Sequence, residues 1–185
     1  APSDLGGDKV LPGGAPQGAE TAKRMGTAVH RLLEVLPNAP QDQWGKIAER
    51  LIEADVRAPA CQEARAVLQR SDLAHVFAPE SLAEVDVTAH LPELNGDPIQ
   101  GSIDRLLVSP TRVLAVDFKT NKIVPSEAEQ VPSGLLRQMG AYAAALSQIY
   151  PNHDIETAIL WTKTLELMPL PKDLVISSLA NTPLT

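Results

Sequence analysis

The chain has 185 residues, of which 44% are hydrophobic and only 3% aromatic, a size and composition typical of one globular domain with an aliphatic core. Its formal net charge of −7 argues against a broadly basic nucleic-acid binder, so any DNA contact would need a local basic patch and a bound metal. The single cysteine, Cys61, excludes an internal disulfide and a site built from four cysteines.

The ends of the chain differ in composition from its middle. Residues 1 to 18 are rich in Gly and Pro, which disfavour helices and strand ladders, and are predicted to form a flexible linker from an upstream region. Residues 19 to 180 form the predicted domain, and residues 181 to 185 a frayed tail. No apolar run approaches the roughly 18 residues that a membrane span needs, and the N-terminus has no signal-peptide core. We therefore expect a soluble, cytoplasmic protein.

A helical pattern begins at about Ala19 and ends before Pro37. Its apolar stripe consists of Met25, Val29, Leu32, Leu33 and Leu36. His30 and Glu34 lie beside this stripe on one side of the helix, and Gly26 would allow close approach to another backbone. His30 has two interpretations. It is an exposed or boundary imidazole, the more common role, or a metal ligand, since imidazole often joins oxygen ligands in metal sites.

Two further helices and a short turn follow, and we assign them to packing. The second helix is predicted from about Pro40 to Asp55. Its apolar stripe consists of Trp44, Ile47, Leu51 and Ile52. The third helix is predicted from Pro59 to Leu68, because proline is favoured in the first turn of a helix.

After Ser81 the period changes, and alternating polar and apolar residues predict a half-buried strand that ends near Leu91. Asn95-Gly96 is a turn signal, after which two more apolar runs precede and follow a loop at residues 109 to 111. Three strands joined by short turns predict an antiparallel meander. Glu84, in the first strand, either approaches the site formed by its neighbours or faces solvent, the more common role of a single glutamate.

The two apolar runs carry three charged residues, Asp104, Asp117 and Lys119. With a period of two, Asp104 shares a face with Ser102 and Leu106, and Asp117 shares a face with Lys119. A hairpin in suitable register would bring the two aspartates together. One lysine cannot neutralise two converging carboxylates, so the pattern favours a divalent cation beside them.

A late helix is predicted from about Gly134 to Tyr150. Gln138 and Tyr142 lie four residues apart on it and project together, with Arg137 beside them. They form either the polar edge of an amphipathic helix or a ridge that faces DNA. Two more strands, at residues 155 to 161 and 165 to 170, complete the pattern. The order of elements predicts an α/β (α+β) fold with a mixed central sheet flanked by helices.

Four motifs in this order resemble the RecB-like branch of the PD-(D/E)xK nucleases. They are Gly26-x-x-x-His30 on a helix, Gly101-x-Ile-Asp104-Arg on a strand, Asp117-Phe-Lys119-Thr on the next strand, and Gln138-x-x-x-Tyr142 on the following helix. Their spacing looks most like the C-terminal nuclease domain of AddA helicase-nucleases. The resemblance covers about residues 20 to 170 and implies a restriction-endonuclease-like core with an N-terminal helical region.

The resemblance also implies a catalytic metal site. His30, Asp104 and Asp117 would bind Mg²⁺ or Mn²⁺ together with the backbone carbonyl of Phe118. Lys119 would act with the two aspartates in catalysis by orienting or deprotonating the attacking water. The single cysteine excludes the iron-sulfur cluster that some relatives hold with four cysteines.

The implied activity is hydrolysis of DNA without sequence preference, with an exonuclease expected, because Gln138, Tyr142 and Arg137 would position the strand through phosphate and sugar. A full-length relative of this kind would carry a helicase motor upstream in the same chain. It would act with an AddB-like subunit in double-strand break repair and recombination. Two alternatives are a nuclease-like module that binds DNA or a partner without cutting, and a domain whose polar residues are unrelated.

Overall fold

Five strands form one mixed sheet in the computed structural model, which describes residues 1–10 and 18–182. They lie side by side in sequence order. β1, β2 and β3 are antiparallel neighbours, β3 and β4 are parallel, and β5 is antiparallel to β4. Their bounds are β1 Leu82–His90, β2 Pro98–Val108, β3 Arg112–Lys119, β4 Asp154–Trp161 and β5 Glu166–Leu170.

Within the described residues, five α-helices cover the two faces of this sheet. Their bounds are α1 Ala19–Val35, α2 Trp44–Leu51, α3 Ala54–Leu68, α4 Ser133–Ile149 and α5 Lys172–Ala180. The first three pack on one face, against Leu114, Val116 and Phe118 of β3. α4 and α5 pack on the other face, against Val113 and Ala115. Because β3 is buried on both faces, its alternate residues serve two cores. The predicted mixed sheet flanked by helices is confirmed.

The helices differ from their predicted bounds in one place. α1 ends at Val35, before Pro37, as its pattern predicts. α3 begins at Ala54 and contains Pro59 in its interior, so the predicted start at the proline is wrong. The missing N–H of Pro59 removes one hydrogen bond near the start of the helix, and the rest of the helix tolerates this loss. Among the helices of the described residues, none is long and apolar enough to cross a membrane.

The first ten residues lie against α4 and β2. Pro2 is buried, and a Cβ placed on Gly101 would lie 2.7 Å from its ring. The N–H of Gly134, at the start of α4, donates to the carbonyl of Asp8 at 2.8 Å. This part of the segment predicted as a linker therefore packs on the domain. Residues 11–17, and the tail beyond residue 182, lie outside the described residues.

Candidate active site

Two aspartates lie where the ladder between β2 and β3 ends. The ladder includes the pair Arg105 and Val116, and the next positions in the same register are Asp104 and Asp117. Here the Asp104 carboxylate replaces a main-chain acceptor, because the N–H of Phe118 donates to its Oδ2 at 2.5 Å. Both aspartates are buried, with exposed fractions of 8% and 3%. Strand register thus places the two carboxylates on neighbouring strands at one end of the hairpin.

β2 changes phase at Asp104. Ile103 and Leu106 both pack in the core beneath α4, although regular alternation would place them on opposite faces. Arg105 and Leu107 instead contact elements on the α1 side. The prediction that Asp104 shares a face with Leu106 is therefore wrong. The break in alternation turns Asp104 toward α1.

His30 approaches Asp104 from α1. Its Nδ1 lies 3.0 Å from Oδ1 of the carboxylate, and since a carboxylate only accepts, Nδ1 carries the proton and Nε2 of the neutral ring keeps its lone pair. The ring packs edge-on against Phe118, with centroids 5.7 Å apart. Burial alone would lower the pKa of His30, but the hydrogen bond and charge of Asp104 outweigh it and raise the pKa above its usual value. The side chain is 29% exposed, so it remains accessible to a ligand.

Two features hold α1 at this position. A Cβ on Gly26 would lie 3.2 Å from Oγ1 of Thr120, so the glycine lets the helix pass close to the end of β3. The buried Arg105 donates to the carbonyl of Leu33 at 2.8 Å and lies over the ring of Phe77. Carbonyls in the last turn of a helix lack partners in the helix and carry partial negative charge. Arg105 therefore caps α1 and ties it to β2.

Asp117 faces α4 and has a partner at each oxygen. Nζ of Lys119 lies 2.5 Å from Oδ2, and Nε2 of Gln138 donates to Oδ1 at 2.8 Å. Burial raises the pKa of Asp117 and the Asp104 charge adds to this effect, against the opposing influence of Lys119. A divalent cation would remove this penalty by stabilising the ionised carboxylate.

The residues predicted to contact DNA lie on α4, and two of them turn inward. Gln138 and Tyr142 are 6% and 3% exposed. The Tyr142 hydroxyl donates to the carbonyl of Ser102 at 2.6 Å, and burial raises its pKa above the usual value, so it stays protonated. Arg137 is half-buried, with Nη1 3.5 Å from the Leu5 carbonyl. In this structure Gln138 and Tyr142 support Asp117 and β2, and their contact with DNA stays a prediction.

Glu84 joins the site, although solvent exposure is the more common role for such a residue. It falls opposite Asp104 in the register of β1 and β2, and its φ of 48° lies in the left-handed region, which is uncommon for glutamate. One potential ligand atom from each of Glu84, His30 and Asp104 lies within 4.8 Å of the others. Burial and the Asp104 charge raise the pKa of Glu84. No local sequence signal marks this backbone conformation, so alternation alone could not assign Glu84 to the site.

The donor set fits a hard divalent cation. Carboxylate oxygens suit Mg²⁺, and one imidazole is compatible with Mn²⁺. An open groove of about 390 Å³ leads to His30, Glu84 and Asp104 along α1. Asp117 lies outside this group of three and faces α4, so the four predicted ligands occupy two sides of the strand ends.

Comparison with known proteins agrees with this arrangement. The family model described as the PD-(D/E)XK nuclease superfamily matches residues 8–169. The chain belongs to this superfamily. It is also similar to an ATP-dependent helicase/nuclease of Streptococcus mutans, with 26% identity over 78% of this chain and 13% of that protein. The chain thus spans about an eighth of that relative's length.

Membership of the PD-(D/E)XK superfamily confirms the resemblance drawn from the four motifs. It also accounts for the fold, since a mixed sheet with helices on both faces is the restriction-endonuclease-like architecture that the motifs implied. PD-(D/E)XK nucleases generally use divalent metals, and the cluster of His30, Glu84 and Asp104 offers a site for one.

Proposed function

We propose that this chain is a metal-dependent nuclease module that hydrolyses phosphodiester bonds in DNA. The observation that carries the proposal is the convergence of Asp104, Asp117 and Lys119 at the ends of β2 and β3, with His30 delivered by α1. In a member of a nuclease superfamily, two carboxylates, an imidazole and an ammonium at one place match the needs of phosphoryl chemistry.

Mg²⁺ or Mn²⁺ would be held by His30, Asp104 and Asp117, together with the carbonyl of Phe118. When bound, the metal supplies polarisation of the scissile phosphate and a lowered pKa of a coordinated water. Glu84 adds a further carboxylate at the mouth of the groove. Its charge strengthens attraction for the cation, because affinity rises with the number of charged ligands.

The chain's own groups would orient the reactants. Lys119 keeps its ammonium beside Asp117, where it orients the attacking water and offsets charge that develops on the phosphate. Gln138 holds Oδ1 of Asp117 and so fixes the direction of that carboxylate. Tyr142 ties α4 to β2 through Ser102. Gln138, Tyr142 and Arg137 are proposed to position the DNA strand through phosphate and sugar, which gives no sequence preference.

The similarity to an ATP-dependent helicase/nuclease supports a larger setting for this activity. We propose that the module acts as an exonuclease behind a helicase motor in the same chain, with an AddB-like protein as its partner. In this setting it would degrade DNA ends in the cytoplasm during double-strand break repair and recombination. A motor that feeds the strand would compensate for the weak phosphate binding expected of an acidic chain, whose net charge is −7.

A cleavage assay with matched variants tests the proposal. Linear single- and double-stranded DNA, labelled at either end, is incubated with excess protein and Mg²⁺ or Mn²⁺. We expect degradation that stops with EDTA and in Asp117→Ala and Lys119→Ala, and that persists in Asp86→Ala, an exposed aspartate of β1. Absence of cleavage, or cleavage that survives both site variants and EDTA, would contradict the proposal. DNA binding without cleavage in the wild type would support the non-cleaving alternative.

A further inference from the structure

Glu63 of α3 is a buried carboxylate that the proposed chemistry does not use. It is 8% exposed, and it lies on the helical side of the molecule, far along the chain from the two aspartates. Its two oxygens contact consecutive residues that follow β4. The Thr162 hydroxyl donates to Oε1 at 2.5 Å, and the Lys163 ammonium binds Oε2.

Thr162 connects this carboxylate to the end of β3. Its backbone N–H donates to the carbonyl of Lys119 at 3.0 Å, one residue beyond the last pair of the β3–β4 ladder, Lys119 with Trp161. Thr162 is 1% exposed, so its hydroxyl has no access to bulk water. The hydroxyl has one proton and gives it to the charged acceptor, because hydrogen bonds to a carboxylate are the stronger ones.

The location of this contact matters because Lys119 is the last residue of β3. Strand ends open more readily than strand centres, and a free strand end would let the Lys119 ammonium move away from Asp117. A buried carboxylate is also costly unless it is paired. Glu63 is paired with the segment that closes the ladder at the catalytic lysine, so the cost of its burial is tied to that position.

We propose that Glu63 and Thr162 are positioning residues that clamp the carboxyl end of β3 and thereby hold Lys119 in its catalytic orientation. Through this clamp, helix α3 contributes to the site without a residue in the groove. The inference rests on the proposed nuclease function, because Lys119 acts in that chemistry. It assigns no contact with DNA or metal to either residue.

Three variants separate positioning from plain stability. Thr162→Val removes the hydroxyl with little change of shape, Thr162→Ser restores it, and Lys163→Met removes the ion pair but leaves the hydroxyl contact. We expect Thr162→Val to lower kcat about 10-fold, since small displacements of reacting groups have effects of this size or larger. KM for DNA and Mn²⁺ affinity should not change. Thr162→Ser should keep kcat near the wild-type value, and Lys163→Met should lower Tm without lowering kcat.

A second measurement does not depend on activity. The hydrogen-exchange rate of the residue 162 amide reports opening of the strand end, and we expect it to rise at least fivefold in Thr162→Val relative to the amide of Ile155 at the other end of β4. If Thr162→Val does not fold, Glu63→Gln replaces it, and exchange and kcat should shift in the same directions.

The inference is overturned if Thr162→Val keeps the wild-type kcat and exchange rate, or if Lys163→Met lowers kcat as much as Thr162→Val does. A wild-type protein that never cleaves DNA would contradict the proposed function instead. The exchange arm would still decide whether the clamp exists.

Discussion

The two faces of the sheet treat the paired aspartates differently. On the α1 face, Asp104 meets a half-buried His30 at an open groove. On the α4 face, Asp117 is sealed between Gln138 and Lys119, with all polar partners supplied by the protein. The difference separates two tasks. The α1 face admits the metal and the substrate, and the α4 face fixes the direction of the deeper carboxylate.

The largest effect is expected for Asp117→Asn. Loss of this carboxylate should lower cleavage by more than about 100-fold, because metal stabilisation of the transition state amounts to several kcal/mol. The pKa of Asp117 is raised by burial and by Asp104, so its ionised form destabilises the fold above that pKa. Tm of the variant should therefore exceed that of the wild type at about pH 8, and the difference should shrink as pH falls toward the unfolded pKa of about 4.

Cleavage assays and thermal melts at both pH values check this prediction. Asp86→Asn is the control, since Asp86 is exposed on β1. A variant that retains cleavage, or a Tm difference that grows as pH falls, would contradict the description of the α4 face as a sealed pocket.

The second effect concerns the open face. His30→Ala should weaken Mn²⁺ binding about 10- to 100-fold, as loss of a supporting metal contact commonly does. In the wild type the Asp104 hydrogen bond and charge outweigh burial and raise the pKa of His30. Because a metal must displace the proton, Mn²⁺ affinity should fall as pH drops through that pKa. Titration of Mn²⁺ by electron paramagnetic resonance at several pH values measures both effects.

His75→Ala is the matched control, because His75 is exposed and its ring contacts only the Asp72 carbonyl in the described contacts. Equal Mn²⁺ affinity in the wild type and His30→Ala would remove the metal from the α1 face.

A smaller effect is expected for Gln138→Met on the sealed face. The change leaves Oδ1 of Asp117 without its donor, and an unsatisfied buried acceptor costs about 1–3 kcal/mol. The free energy of unfolding should fall by this amount in urea titrations, with cleavage reduced and Mn²⁺ affinity nearly unchanged. Gln62→Met, at an exposed position of α3, should leave stability at the wild-type level. A loss of Mn²⁺ affinity larger than the loss of stability would place Gln138 on the metal side.

The smallest effect is expected for Glu84→Gln. It removes a charge beside His30 and Asp104 but leaves the backbone at φ 48° unchanged, so Mn²⁺ affinity should fall about threefold through the lower ligand charge. Tm should change little. Calorimetric titration of Mn²⁺ into Glu84→Gln and the exposed control Glu80→Gln compares the two, and equal affinities would exclude Glu84 from the site.

The sequence predicts much of this comparison but not the faces. The stripe of α1 and the alternation of β1 to β3 follow from local periods, which depend on neighbouring residues alone. The grouping of Asp104, Asp117 and Lys119 follows from hairpin register. The burial of Gln138 and Tyr142 depends on where α4 packs, and a single amphipathic pattern does not contain that information.

Two features arise only from tertiary contacts. The change of phase at Asp104, opposite Glu84, breaks the period of two that a sequence reader must assume. The contact of Glu63 with Thr162 joins residues that are 99 positions apart, and nothing near either residue marks the other. Both features lie beside the site, where local rules are most often overridden by function.

The central claim is that one divalent ion binds at the ends of β2 and β3 and is reached from the α1 face. A crystal of the protein soaked in Mn²⁺ tests it most directly through anomalous scattering. We predict a single strong peak within coordination distance of His30, Asp104 and Asp117, and its loss in Asp117→Asn. A peak at other residues, or no peak in crystals of a protein that binds Mn²⁺ in solution, would contradict the account.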